Sequence, residues 1–325
     1  MLFFIENGFF KMEKMAAPIL WFFLFLFSAI PAFSQEKTDD ELLAETVALS
    51  KEVKEFEKTL GIESTEALTK STKNQKAIFY FGINIQQKGR INLKTFSRLH
   101  IFFETEKMPP HQYSLWSRLY SVYIRSVGQF SSGESVINID FAKNTLPSKV
   151  ATILHEDLHG NIWSTEAHLA NTQETLVTPL GFLVALEFFK NKQDAENTQE
   201  IFRQINYFRT ISRELNSLEI DLEKLSGEKI QFIFCLEIYK GEILKKYPAY
   251  AERLSRAVAE RDECAAEEAA VSEDLMYWKY FDKIIALYEK SKNIKLLIED
   301  MKKAPGNQDE LEKYLNKLNE KYSKK

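Results

Sequence analysis

The segment His155-Glu156-Asp157-Leu158-His159 constrains the fold more than any other part of this 325-residue chain. Residues four apart lie one turn above each other on the same face of an α-helix. The residues from Val150 to Leu154 are mostly apolar at helical spacing, which predicts that this helix packs against a core. The two imidazoles can then converge on a single ion, and zinc favours nitrogen ligands of this kind.

Glu156 stands beside the first histidine, at a position where it can serve the chemistry without being a ligand. A catalytic zinc site keeps one coordination position open for water, and a neighbouring carboxylate can take a proton from that water and pass it to a leaving amine. Asp157 is charged where such motifs usually carry an uncharged residue, and helical spacing predicts that it points away from the ligand face. The motif therefore predicts a zinc-dependent peptidase with Glu156 as the catalytic general base.

A catalytic zinc site also needs a third protein ligand. Glu174 follows the motif by 15 residues and stands near the start of the next predicted helix, Thr172 to Lys190. Two antiparallel helices joined by such a loop can bring that carboxylate to the metal, and a rigid element holds a ligand well. Glu174 is the preferred ligand, while Glu166 and His168 in the connecting loop remain open as alternatives.

The N-terminus resembles a secretory leader. Lys11 and Lys14 precede an apolar run over residues 16–33, and small residues stand just before Gln35. This order predicts a signal peptide over residues 1–34 and export to the periplasm or the medium. The alternative is an uncleaved helix that anchors the chain to a membrane through residues 16–33.

Cysteine content and overall charge limit the other classes of site. Cys235 and Cys264 are the two cysteines of the chain. Two cysteines at this separation do not form a cysteine-based metal cluster. Whether they form a disulfide bond in an oxidising compartment stays open. The 43 basic and 47 acidic residues leave a net charge of −4 without a basic stripe, which argues against nucleic acid as a partner. A peptide or protein substrate is the partner that we expect.

The remaining pattern predicts an α+β fold that is mostly helical. A helix is expected over residues 39–60, strands over residues 77–85, 122–127 and 136–141, and only helices from Asn197 onward. We expect a small antiparallel sheet beside a zincin-like metal helix. The expected division is a metallopeptidase core over residues 35–190 and a helical C-terminal region over residues 191–325 that packs on it.

Two further roles are open at this stage. The strand over residues 136–141 could pair with a substrate backbone beside the metal, or it could be an ordinary core strand. Tyr277 and Tyr280 could donate a hydrogen bond to a developing oxyanion, although a stripe of this kind more often belongs to the core.

Four segments of the chain resemble a bacterial family of predicted aminopeptidases, which are zinc metallopeptidases with an HExxH motif. The resemblance lies in residues 50–62, 122–131, 150–159 and 173–181. It implies zinc binding by His155, His159 and Glu174, with Glu156 as general base. Gln173 departs from the family, which usually has asparagine before the third ligand. An asparagine-rich motif expected near residues 271–275 is replaced by Ser-Glu-Asp.

The alternative function is a non-catalytic secreted scaffold whose long charged helices bind a partner. A scaffold has no chemical need for two histidines, an adjacent glutamate and a well-placed later carboxylate together. Metal binding therefore distinguishes the two functions.

Overall fold

The sequence folds into helices that surround one long central helix, with a small sheet on one side. The structure is a computed structural model and describes residues 37–74, 80–87, 91–93, 96–101, 120–127, 135–162, 170–226, 244–259 and 267–324. The helices within these ranges are α1 (Asp39–Thr59), α2 (Ile139–Ala142), α3 (Leu146–Asn161), α4 (Ala170–Asn191), α5 (Ala195–Ser226), α6 (Pro248–Ala259), α7 (Glu267–Trp278), α8 (Phe281–Ser291), α9 (Ile294–Met301) and α10 (Gln308–Ser323). The strands are β1 (Tyr80–Gln87), β2 (Phe96–Ile101) and β3 (Tyr120–Val127), and Leu244–Lys246 form one turn of 3₁₀-helix. The predicted mostly helical α+β class is confirmed.

Helix α1 begins with three acidic residues, which favour the positive end of the helix dipole. It ends before Gly61, whose φ of +77° is the left-handed conformation that often stops a helix. The predicted helix over residues 39–60 is confirmed. Val53 is fully buried on its inner face, where α1 packs against α3.

Helix α3 carries the HExxH motif and has clear local reasons to form. Thr145 caps its N-terminus by accepting a hydrogen bond from the Ser148 backbone, and Pro147 occupies the first turn. Val150, Ile153 and Leu154 are buried along one face together with Leu158. The predicted helix over the motif, its position and its buried stripe are confirmed.

The sheet is antiparallel, with the order β2-β1-β3. Asn84 of the central strand pairs with Arg98 of β2 on one side and with Tyr123 of β3 on the other. The predicted strands over residues 77–85 and 122–127 correspond to β1 and β3. Strand β2 was not predicted, because its charged and polar residues Arg98 and His100 interrupt the apolar pattern.

The predicted strand over residues 136–141 is wrong. Ile137 makes only a single parallel bridge, to Ser71, and the chain then turns into the short helix α2. Asn138 starts this helix because its side-chain oxygen accepts a hydrogen bond from the Phe141 backbone at 2.7 Å. An edge strand that pairs with substrate is therefore not formed by this segment.

Helix α4 lies at the centre of the helical part, against α3, α5, α7, α8 and α9. Leu180, Val184 and Phe189 are fully buried within it. Helix α7 packs against α4 on one side and all three strands on the other. This arrangement brings the sheet close to the helix pair that carries the motif.

Several predictions fall on residues that the structure does not describe. They are the leader over residues 1–34, the rival ligands Glu166 and His168, and the pairing of Cys235 with Cys264. Within the described part of the chain, no helix combines the length and apolar character needed to cross a membrane.

Candidate metal centre

Two histidines of α3 and one glutamate of α4 converge on a single point. The Nε2 atoms of His155 and His159 are 3.1 Å apart. Glu174 Oε2 lies 3.3 Å from His155 Nε2 and 3.5 Å from His159 Nε2. The structure thus brings together the three residues that the sequence analysis named as ligands. Their side chains are 12–19% exposed, so the group is sheltered and can still be reached from solvent.

The donor atoms fit the requirements of a zinc ion. Nitrogen and oxygen ligands at about 2.0–2.2 Å from a tetrahedral zinc are separated from one another by about 3.3–3.6 Å. The three separations, 3.1, 3.3 and 3.5 Å, lie at or close to this range. Glu174 Oε2 is buried and has no hydrogen-bond partner of normal geometry among the described residues. A buried carboxylate oxygen facing two imidazole nitrogens is the arrangement that a cation would complete.

The same three residues stabilise one another electrostatically. Burial opposes the charge on His159, but the negative charge of Glu174 outweighs this effect and raises the His159 pKa to about 9. Burial likewise opposes ionisation of Glu174, but the two imidazoles hold its pKa well below the usual value. A proton on His159 therefore compensates the carboxylate charge, and a divalent cation would take over that role.

Glu156 is buried beside this group, with 6% of its surface exposed. Burial raises the pKa of its carboxyl group, while the charges of His155 and His159 act in the opposite direction. A carboxylate whose pKa is raised by burial is a stronger base than an exposed one. The position and environment of Glu156 therefore suit general acid–base work.

Close packing of α3 and α4 fixes the ligand geometry. A Cβ atom on Gly181 would lie 3.2 Å from the Ala151 carbonyl oxygen and 3.3 Å from the His155 Cβ atom, so the two backbones approach closely. At the other end of the pair, the Gln173 side chain donates hydrogen bonds to the carbonyl oxygens of His159 and Ile162, both at 2.8 Å. The helices are therefore antiparallel, and Gln173 caps the C-terminus of α3.

Asp157 points away from the ligands and anchors the opposite face of α3. Its side chain is fully buried and accepts hydrogen bonds from Lys54 Nζ at 2.5 and 2.7 Å. It also accepts hydrogen bonds from the Thr65 backbone at 2.8 Å and the Thr65 hydroxyl at 2.5 Å. The charge that departs from the usual motif is thus compensated by an ion pair with α1.

The sheet and α7 contribute groups that the sequence analysis did not assign to the site. The Nη1 atom of Arg98, on β2, is 3.9 Å from Glu174 Oε1. The same atom donates a hydrogen bond to the Tyr277 hydroxyl at 3.1 Å. Tyr280, the other tyrosine considered, is 4% exposed, and burial together with the charge of Glu312 raises its pKa. Of the two tyrosines, Tyr277 is therefore the one connected to the metal centre.

Comparison of the chain with protein-family models, curated proteins and solved structures finds no match. The resemblance to predicted aminopeptidases accordingly remains a prediction from the motif-bearing segments.

Proposed function

We propose that this chain is a zinc-dependent peptidase. The observation that carries the proposal is the convergence of His155 Nε2, His159 Nε2 and Glu174 Oε2 within 3.1–3.5 Å of one another, beside a buried glutamate that is not a ligand. Two imidazoles and one carboxylate, with a position left for water or substrate, are the ligand set of one class of catalytic zinc site.

When bound, a zinc ion supplies a Lewis acid that polarises a carbonyl group and makes water nucleophilic near neutral pH. His155, His159 and Glu174 would hold it. Gln173 and Gly181 support the proposal indirectly, because they keep the two ligand-bearing helices in close and fixed contact.

Glu156 performs the proton transfers in this proposal. Its carboxylate would accept a proton from the attacking water and would donate that proton to the nitrogen of the leaving amine. Burial raises its pKa, which makes the carboxylate a better base than an exposed glutamate. Because Glu156 is not a ligand, its removal is expected to leave metal binding intact.

The variant Glu156→Gln tests this division of roles. We expect it to retain one zinc per chain and to lose at least about 100-fold in kcat/KM on a peptide library, since general acid–base catalysis contributes about 10²–10⁴-fold. The matched control is Glu52→Gln on the exposed face of α1, where the side chain is 49% exposed. The control should keep both zinc and hydrolysis.

Two outcomes would contradict the proposal. Wild-type turnover in Glu156→Gln would exclude Glu156 as the general base. Zinc binding by the wild-type chain without hydrolysis of any peptide in the library would leave a metal-binding protein that is not a peptidase.

A further inference from the structure

Arg98 connects the sheet, α7 and the proposed third ligand. Its Nη2 atom lies 2.5 Å from Glu273 Oε1, and its Nε atom donates to Asn84 Oδ1 at 2.9 Å. Its Nη1 atom donates to the Tyr277 hydroxyl at 3.1 Å and lies 3.9 Å from Glu174 Oε1. The side chains of Arg98 and Glu273 are each 7% exposed. One buried guanidinium group thus contacts three different elements at the candidate metal centre.

The planar guanidinium group is held in one orientation by these partners. Glu273 and Tyr277 are four residues apart on α7, so they present their polar atoms from the same face of that helix. Asn84 is the residue directly opposite Arg98 in the β1–β2 pairing, which places its side chain beside that of Arg98. A rigid fork of donors bound on several sides has little freedom to turn.

The two carboxylate oxygens of Glu174 therefore face different partners. Oε2 lies 3.3 and 3.5 Å from the two imidazole nitrogens, whereas Oε1 lies on the side of Arg98. The charge of Arg98 favours an orientation in which one oxygen stays near the guanidinium group and the other stays with the histidines. Outer partners of this kind orient metal ligands and affect metal affinity.

We propose that Arg98 is a positioning residue that holds the Glu174 carboxylate in the orientation in which one oxygen faces the metal and the other faces the guanidinium group. This inference rests on the proposed function, because it concerns the same ligand set. A purely structural role as the buried ion pair with Glu273 would affect stability without changing the zinc affinity of the folded protein.

The zinc affinity of the folded Arg98→Lys variant tests the proposal. Lysine keeps the positive charge but lacks the planar fork that contacts Glu273, Tyr277 and Asn84 together. We expect zinc affinity, measured by competition with a chromogenic chelator, to fall by about 10–100-fold, as for other partners that orient ligands. Thermal unfolding in the same buffer establishes that the variant is folded.

Arg253→Lys is the matched control. Arg253 forms a bonded pair with Asp274, the residue next to Glu273 on α7, through its Nε and Nη2 atoms at 3.1 and 2.7 Å. The control therefore loses two arginine hydrogen bonds to a carboxylate of α7 that is not a proposed ligand. We expect its zinc affinity to stay within about 2-fold of wild type, because Arg253 donates its hydrogen bonds to Asp274 and not to a proposed ligand.

If Arg98→Lys does not fold, Glu273→Gln replaces it. That variant keeps the arginine, removes the charge that anchors it, and should also lower zinc affinity. Wild-type zinc affinity in folded Arg98→Lys would overturn the role of Arg98 and would leave the proposed zinc site unaffected. If Glu273→Gln is used instead, wild-type affinity in that variant would have the same meaning. Absence of zinc binding by the wild-type chain would overturn both proposals.

Discussion

The ion pair between Lys54 and Asp157 offers the sharpest test of how the metal helix is held. Lys54→Met removes the charged partner and retains an apolar stem of similar length. It leaves the Asp157 carboxylate, which is fully buried, with the two donors of Thr65 and the neighbouring carboxyl group of Glu57. Removing one member of a buried ion pair costs about 3–5 kcal/mol, because the other charge stays buried.

The two Thr65 hydrogen bonds decide where in that range the loss falls. They continue to stabilise the Asp157 charge, and a hydrogen bond to a charged group contributes about 1.5–3 kcal/mol. We therefore expect Lys54→Met to lower the free energy of unfolding by about 3 kcal/mol, at the lower end of the range for a broken buried pair. Urea unfolding at neutral pH, with a chelator present in every sample, measures this loss without a contribution from bound metal.

Lys192→Met is the control, because Lys192 pairs with Glu52 of the same helix α1 at the surface. The two side chains are 41% and 49% exposed. Exposed ion pairs contribute about 0–1 kcal/mol, so the control should lose little stability. A loss in Lys54→Met no larger than that in the control would refute the claim that this pair anchors the metal helix.

Three more predictions concern pH, packing and the third ligand. Burial and the Asp157 charge raise the pKa of Glu57 to about 9, so the folded chain holds a proton that the unfolded chain releases above about pH 4.5. The free energy of unfolding should therefore fall as pH rises from about 4.5 to 9, with a slope of at most about 1.4 kcal/mol per pH unit. Urea unfolding across this pH range measures the effect, and Glu57→Gln should remove it. Gly181→Leu should destabilise the chain by about 1–3 kcal/mol in thermal unfolding, because its side chain would collide with α3 at His155; a stability equal to wild type would contradict the close packing. Glu174→Ala should reduce zinc affinity by more than about 100-fold in chelator competition, since even outer partners of ligands account for about 10–100-fold; an unchanged affinity would place the third ligand elsewhere.

The convergence of the proposed ligands could be predicted from sequence because it depends mainly on local structure. Helical spacing places His155 and His159 on one face, and the short connection to the next helix limits which carboxylate can reach them. The structure brings Glu174 to that position. Helical spacing also correctly predicted that Asp157 points away from the two histidines. Its partner Lys54 lies 103 residues earlier in the chain, so the ion pair could not be predicted from a local pattern.

Local pattern failed over residues 136–141 for a specific reason. Ile137, Ile139 and Phe141 are buried, as an alternating strand would bury them. The side chain of Asn138 nevertheless caps a helical turn, and a turn of this kind satisfies the backbone without a neighbouring strand. Alternation over six residues does not distinguish the two structures.

The role of Arg98 could not be predicted, because its partners on α7 lie 175 and 179 residues away along the chain. Nothing in the sequence near Phe96–Ile101 indicates an active-site strand. The one feature that pointed to this region was the pair of charged residues Glu273 and Asp274 in a helix that is otherwise largely apolar. Glu273 forms the buried ion pair with Arg98, and Arg98 lies 3.9 Å from Glu174 of the candidate metal centre.

The most direct test of the zinc site is elemental analysis of the purified chain without its predicted leader, residues 35–325, beside the variant His155→Ala. The proposed ligand set predicts one zinc per chain in the wild type and its loss in the variant, because two of three protein ligands do not hold the ion in place. No zinc in either protein, even after zinc has been supplied, would contradict the proposed function and favour a non-catalytic scaffold.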